Sequence, residues 1–96
     1  MAGDKPIIKT SERFEAQLRD VCREAGIEVQ DVYDSLAGVL WSLVENPEVH
    51  PIVASTNVRL VKTRRRGTIP QLGIWYKVDE DLTVELLAIR TLDLYL

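Results

Sequence analysis

The hydrophobic pattern changes period once along the chain, from about 3.6 residues in the first half to 2 in the second. Phe14, Leu18, Val21 and Cys22 recur at i, i+4, i+7 and i+8, which places them on one face of a helix. Ser11 suits the N-cap of that helix, and Glu12 and Glu15 put carboxylates in its first turn, where the helix dipole favours them. Gly26 suits the left-handed position after its last turn, with Ile27 folding back onto the helix. A second helix is expected over Val29–Glu45, its apolar face formed by Val29, Val32, Tyr33, Leu36, Leu40, Leu43 and Val44. Asn46-Pro47 stops it, and the short link between the two elements predicts an antiparallel helical hairpin.

Strands account for the remainder. Pro6–Thr10 is short and β-branched and reads as a first strand, after a loose tail at Met1–Lys5. Pro47–Asn57, with two prolines followed by Ser55, Thr56 and Asn57, reads as a connecting loop. Val58–Lys62 predicts a strand, and Arg64–Pro70 a charged loop around Gly67. Leu72, Ile74, Tyr76 and Val78 then alternate, as do Leu82, Val84, Leu86 and Ala88. With Asp79-Glu80-Asp81 as the turn, Val78 opposes Leu82, Tyr76 opposes Val84 and Ile74 opposes Leu86, so each inward pair is apolar. The expected fold is α+β: a strand, a two-helix antiparallel hairpin, then a three-stranded antiparallel meander, with the helices packed on one sheet face.

Composition adds bounds. At 96 residues, 46% hydrophobic and 28% charged, residues 1–96 read as a single folded domain. Cys22 is the lone cysteine, which leaves no internal disulfide framework and no multi-cysteine zinc site, and its place among apolar helix residues makes it an inert core thiol. No basic-then-apolar leader occupies Met1–Pro6 and no apolar run approaches a membrane span, so a cytoplasmic protein without a membrane partner is expected. The net charge of −3 conceals an asymmetry, because Ser55–Val78 carries Arg59, Lys62, Arg64, Arg65, Arg66 and Lys77 and no acid. The overall acidity opposes avid non-specific nucleic-acid binding, while the local basic segment makes Arg59, Lys62, Arg64, Arg65 and Arg66 nucleic-acid-binding candidates. The Arg64–Arg66 run reads either as a solvated loop that keeps a sheet edge soluble or as a patch facing phosphates or carboxylates.

This order of elements resembles the RelE/ParE toxin superfamily of bacterial type II toxin–antitoxin systems. The local likeness is carried by the segment from Ile69-Pro70-Gln71-Leu72 through Trp75-Tyr76-Lys77-Val78-Asp79 to Ile89, and by Val44-Glu45-Asn46-Pro47 at the end of the second helix. The resemblance implies a cognate antitoxin as partner and one of two targets. RelE-like members cut messenger RNA on the ribosome without a metal or other cofactor, and ParE-like members bind DNA gyrase. By the same resemblance Lys62, Arg64, Arg65 and Arg66 supply cations for a crowded phosphate, Arg90 stands at the late basic position and Tyr95 takes the late aromatic role. That makes Lys62, Arg65, Arg90 and Tyr95 the catalytic candidates. Two departures weaken the nuclease expectation: Gly73 stands where many active members carry arginine, and no histidine follows the last strand. The alternatives are a non-catalytic binding domain of the same fold and an unrelated self-associating α+β module.

A second apolar face remains to be covered. Trp75 points away from Ile74 and Tyr76, Leu87 and Ile89 are expected on the same side, Leu92 and Leu94 continue apolar, and Trp41 falls at the margin of the second helix's apolar face. Either the C-terminal segment covers them or a partner does, an antitoxin helix or a second copy in a homodimer, which makes Trp41, Trp75, Leu87, Ile89, Leu92 and Leu94 partner-binding candidates. His50 has no nearby nucleophile and reads as a surface residue. Asp79-Glu80-Asp81 reads as a turn, since three neighbouring acids cannot converge on one ion, and no metal site is expected.

Overall fold

A computed structural model describes residues 8–46, 50–53, 56–79 and 83–92. The tail Met1–Lys5, the first residues of the expected first strand, Leu82, Leu94 and Tyr95 lie outside the described residues. The observed order is β1 (Ile8–Thr10), α1 (Glu12–Ala25), α2 (Val29–Glu45), β2 (Val58–Lys62), β3 (Leu72–Val78) and β4 (Val84–Thr91). The fold class is the expected one. β2, β3 and β4 form the antiparallel meander, and β1 joins the free side of β4 in parallel, giving the sheet order β1-β4-β3-β2.

Both helices begin and end on local chemistry. The Ser11 hydroxyl accepts from the Phe14 N–H at 3.0 Å, and Gly26 adopts φ 71° while the Ile27 N–H reaches the Cys22 carbonyl at 3.0 Å. At the start of α2 the Asp31 carboxylate accepts from the Glu28 N–H at 3.4 Å. Phe14, Leu18, Val21 and Cys22 from α1 and Val32, Leu36 and Leu43 from α2 pack on the inward residues of the sheet, chiefly Val61, Leu72, Ile74, Tyr76, Val84, Leu86 and Ile89. Cys22 is buried, and burial, then the charges of Glu28 and Asp31, push its thiol pKa up, which suits an unreactive core thiol. Val29 is exposed in the first turn of α2 and leaves the expected apolar face.

The strand register differs from the expected one in two steps. Val78 opposes Val84 and Tyr76 opposes Leu86, so the β3–β4 connection is two residues longer than predicted and closes through the Asp79 N–H on the Thr83 carbonyl at 2.8 Å. A shift of two preserves which side chains face inward. A bulge then intervenes: Trp75 pairs with Ala88 and Ile74 with Ile89, leaving Leu87 as the extra residue on β4. The bulge reverses the alternation, so Ile89 turns into the core at 0% exposure and Ala88 turns out. This overturns the placement of Ile89 on the second face: the larger side chain fills the core, and a methyl is left outside.

The bulge has visible partners. β1 ends at Thr10, after which the Ser11 N–H donates to the Leu86 carbonyl at 3.0 Å and the Ser11 hydroxyl donates to the Leu87 carbonyl at 3.1 Å. Farther along, the Gln17 side-chain carbonyl accepts from the Ile89 N–H at 3.0 Å. Side chains of α1 therefore take over where β1 stops, and β4 bends to meet them. On the opposite edge, the expected loop contains an extended piece: Ile52 pairs with Arg59, the Val53 N–H reaches the Val58 carbonyl at 2.7 Å, and the Leu60 N–H reaches the Pro51 carbonyl at 3.2 Å. Among the described residues no helix is long and apolar enough to cross a membrane.

Candidate functional site

With the helices on one face, the alternation of β2, β3 and β4 sets out three cross-strand rows on the other. The first row is Lys62, Gly73 and Arg90; the second is Leu60, Trp75 and Ala88; the third is Val58, Lys77 and Glu85, continued by Lys9 on β1. Lys62 and Arg90 are exposed, Trp75 and Ala88 are partly exposed, and the Lys77 ammonium lies 3.6 Å from the Glu85 carboxylate. An apolar band is thus bordered by a purely cationic row on one side and a mixed row on the other.

Gly73 shapes the cationic row. A Cβ placed there would lie 2.9 Å from the Leu92 Cδ1, and 3.2 and 3.3 Å from two further Leu92 carbons. Leu92 is itself held by its N–H on the Gln71 carbonyl at 2.8 Å. The Leu92 side chain, just past the end of β4, therefore lies over Gly73 and occupies the space a side chain at position 73 would need. Two strand spacings separate the backbones of Lys62 and Arg90, about 10 Å, so their long side chains can meet one anion across the glycine.

The sequence candidates divide accordingly. Lys62 and Arg90 come together. Arg65 does not join them: it lines a cleft with Val21 and Glu24 of α1, on the helix-covered side. Arg66 lines another with Asp31 and Asp34 of α2. All three of Arg64, Arg65 and Arg66 are exposed on a hairpin whose Arg66 N–H and carbonyl pair with Ile69 at 2.9 and 2.8 Å, and Gly67 supplies φ 59° at its tip. Among the described residues neither Arg64 nor Arg66 forms an ion pair.

Arg59 stands apart from the cationic row. It opposes Tyr76, on the inward side of β2, and its guanidinium donates to the His50 carbonyl at 2.6 Å. The Tyr76 ring is fully buried and meets the His50 ring edge-on at 6.3 Å. Burial pushes the Tyr76 hydroxyl pKa up, against the lowering effects of Arg59 and of a hydrogen bond to the His50 backbone. These three residues tie the 50–53 segment to the sheet and leave the open face.

The apolar candidates also separate. Trp75 and Leu87 lie on or beside the open face, the Leu92 side chain lies over Gly73, and Leu94 lies outside the described residues. Trp41 is 59% exposed on α2, nine residues or two and a half turns from the buried Val32. It points directly away from the core, rather than at the margin of the apolar face, and shares no surface with Trp75.

Sequence reasoning missed the contribution of α1. A cleft of about 370 Å³ runs from the open face past β4, with Trp75, Leu87 and Ala88 on one side, Arg13 and Gln17 of α1 on the other, and Arg90 beside them. Arg13 carried no signal of its own in the pattern, because only the bend of β4 against α1 brings it there. Among the described residues no group of three or more His, Cys, Asp or Glu is placed to hold a metal ion.

No protein-family model matches the chain, and no curated protein matches it in sequence. Among solved structures it is similar to the solution structure of the conserved hypothetical protein HP0892 from Helicobacter pylori, with a TM-score of 0.59 and 19% identity over 91% of this chain and 94% of that one. At that identity the likeness concerns the fold.

Proposed function

We propose that this chain is the toxin component of a type II toxin–antitoxin pair, acts on RNA through the open face of its sheet, and is silenced by a cognate antitoxin that covers that face. The observation that carries the reading is the in-register row of Lys62, Gly73 and Arg90, two exposed cations astride a position without a side chain. Such a row supports recognition of a phosphodiester: one anionic group meets two donors, and the glycine leaves room for it once Leu92 yields. Metal-free cleavage would further need a group to take the 2′-hydroxyl proton and another to protonate the leaving 5′-oxygen. Lys62 and Arg90 supply charge stabilisation for the crowded phosphate. Tyr95, the late aromatic candidate for proton transfer, lies outside the described residues.

A second reading has its own support. Among the described residues no tyrosine lies on the open face, and His50, which lines a cleft with Leu60 and Lys62, is engaged edge-on with the buried Tyr76. A binding domain that acts by contact alone, on gyrase or another partner, is compatible with that. Induced expression separates the two. The RNA reading expects growth arrest and ribosome-dependent messenger cleavage, both reduced by about tenfold or more in Lys62→Ala and Arg90→Ala. Growth arrest without any cleavage would favour the contact-only reading, and no growth arrest at all would remove both.

A further inference from the structure

We infer that the cleft beside Trp75 is a nucleobase-binding site, in which one unstacked base of single-stranded RNA lies on the indole while its flanking phosphates meet Arg13 and Arg90. The inference rests on the RNA reading above and adds to it a site for the base. Trp75 is only partly buried, although it occupies the middle strand of the meander. Its cross-strand neighbours are Leu60 on β2 and, on β4, Ala88, placed outward by the bulge at Leu87, so on the β4 side the indole is flanked by a single methyl. In the register that β3 and β4 hold up to Tyr76–Leu86, Trp75 would face Leu87; the bulge sets that larger side chain out of the pairing and puts Ala88 opposite the indole.

The rim complements the floor. Arg13 and Arg90 lie on different elements on the two sides of the cleft, both exposed, and among the described residues neither forms an ion pair. Gln17 stands between them with its carbonyl oxygen committed to the Ile89 N–H at 3.0 Å, which leaves its amide N–H₂ as the available donor. An aromatic platform with guanidinium groups on either side and an amide donor matches a base with its phosphates: the ring stacks, the phosphates meet the arginines, and a carbonyl or ring nitrogen of the base accepts from the amide. The small extent of the apolar band favours this occupant over an acidic amphipathic helix, which would need a long apolar strip: the band is one row wide, bordered by Lys62 and Arg90 on one side and by the Lys77–Glu85 pair on the other.

The test uses the full chain with Trp41→Phe, so that Trp75 is the sole tryptophan, titrated with a single-stranded RNA hexamer and with an abasic phosphodiester oligomer of equal charge. The expected result is quenching of Trp75 emission by the hexamer, with binding about tenfold tighter than to the abasic oligomer. With Trp41 intact and binding read by the anisotropy of labelled oligomers, Trp75→Leu should erase that difference, whereas Trp75→Phe retains most of it. Arg13→Ala, at an exposed position, should weaken both ligands together. Equal affinity for hexamer and abasic oligomer would overturn the base site while leaving a phosphate-binding face in place. Absence of binding to either would remove the RNA reading as well. Quenching by an acidic amphipathic peptide but not by RNA would assign the cleft to a protein partner and overturn the inference.

Discussion

Gly73 is the position at which a change of one methyl reaches furthest. Its missing side chain lets Leu92 lie across the open face between Lys62 and Arg90, and a Cβ at 2.9 Å from Leu92 Cδ1 forces that leucine to move. Gly73→Ala should cost about 1 kcal/mol or less, because the clash is with the partly exposed Leu92 side chain alone, which can swing aside. Leu92→Ala should cost a similar amount through lost burial, yet the double variant should be less destabilised than the sum, since the second change removes the clash made by the first. Urea denaturation of the four proteins measures this, and simple additivity would show that the two residues do not meet. Position 73 was noted in the sequence as a departure from arginine, but its consequence was not legible there, because nothing in the local pattern says which residue crosses above it. Trp41 teaches the converse. Its spacing in the helix was readable, and only the angular distance from Val32 shows that it faces outward.

Among the elements, the helices were legible almost to the residue and β4 was not. α1 and α2 are bounded by caps that act within a few positions: Ser11 on Phe14, Gly26 with its left-handed backbone, Asp31 on Glu28. The inward set of β3 was legible from alternation alone, whereas β2 turns Arg59 inward beside Val61. The path of β4 depends on partners distant in sequence, since Ser11 and Gln17 take up Leu87 and Ile89 and the alternation inverts between them. A period-2 reading therefore carried Ala88 inward and Ile89 outward, the reverse of what the bulge produces. Gln17→Ala should leave the Ile89 N–H without its acceptor, at a cost of about 1–2 kcal/mol. Its amide hydrogen exchange should accelerate more than those of Ile74 and Tyr76 on the neighbouring strand. Unchanged protection at Ile89 would mean that the bulge is held by something other than this hydrogen bond.

At the scale of the whole molecule, the layered arrangement divides the basic segment between two sides. Lys62 and Lys77 remain on the open face, Arg59 is turned inward to His50, and Arg64–Arg66 extend on a hairpin whose cleft neighbours include Glu24, Asp31 and Asp34 of the helices. A run of charge that is continuous in sequence thus becomes two separate features in space, a division set by the alternation along β2 and by the hairpin at Gly67 and not visible in the run itself. Arg90 and Arg13, from elsewhere in the chain, complete the cationic surface that the segment begins. Binding through so few phosphate contacts should be sensitive to salt and modest in affinity. The most direct measurement is a backbone amide and indole NMR titration of the uniformly labelled protein with a short single-stranded RNA. Binding on the open face predicts shifts at Lys62, Gly73, Trp75, Ala88 and Arg90, with α2 and the Gly67 hairpin unaffected. Shifts confined to Arg64–Gly67 or to the helices, with Trp75 and Gly73 unmoved, would contradict an RNA-facing sheet.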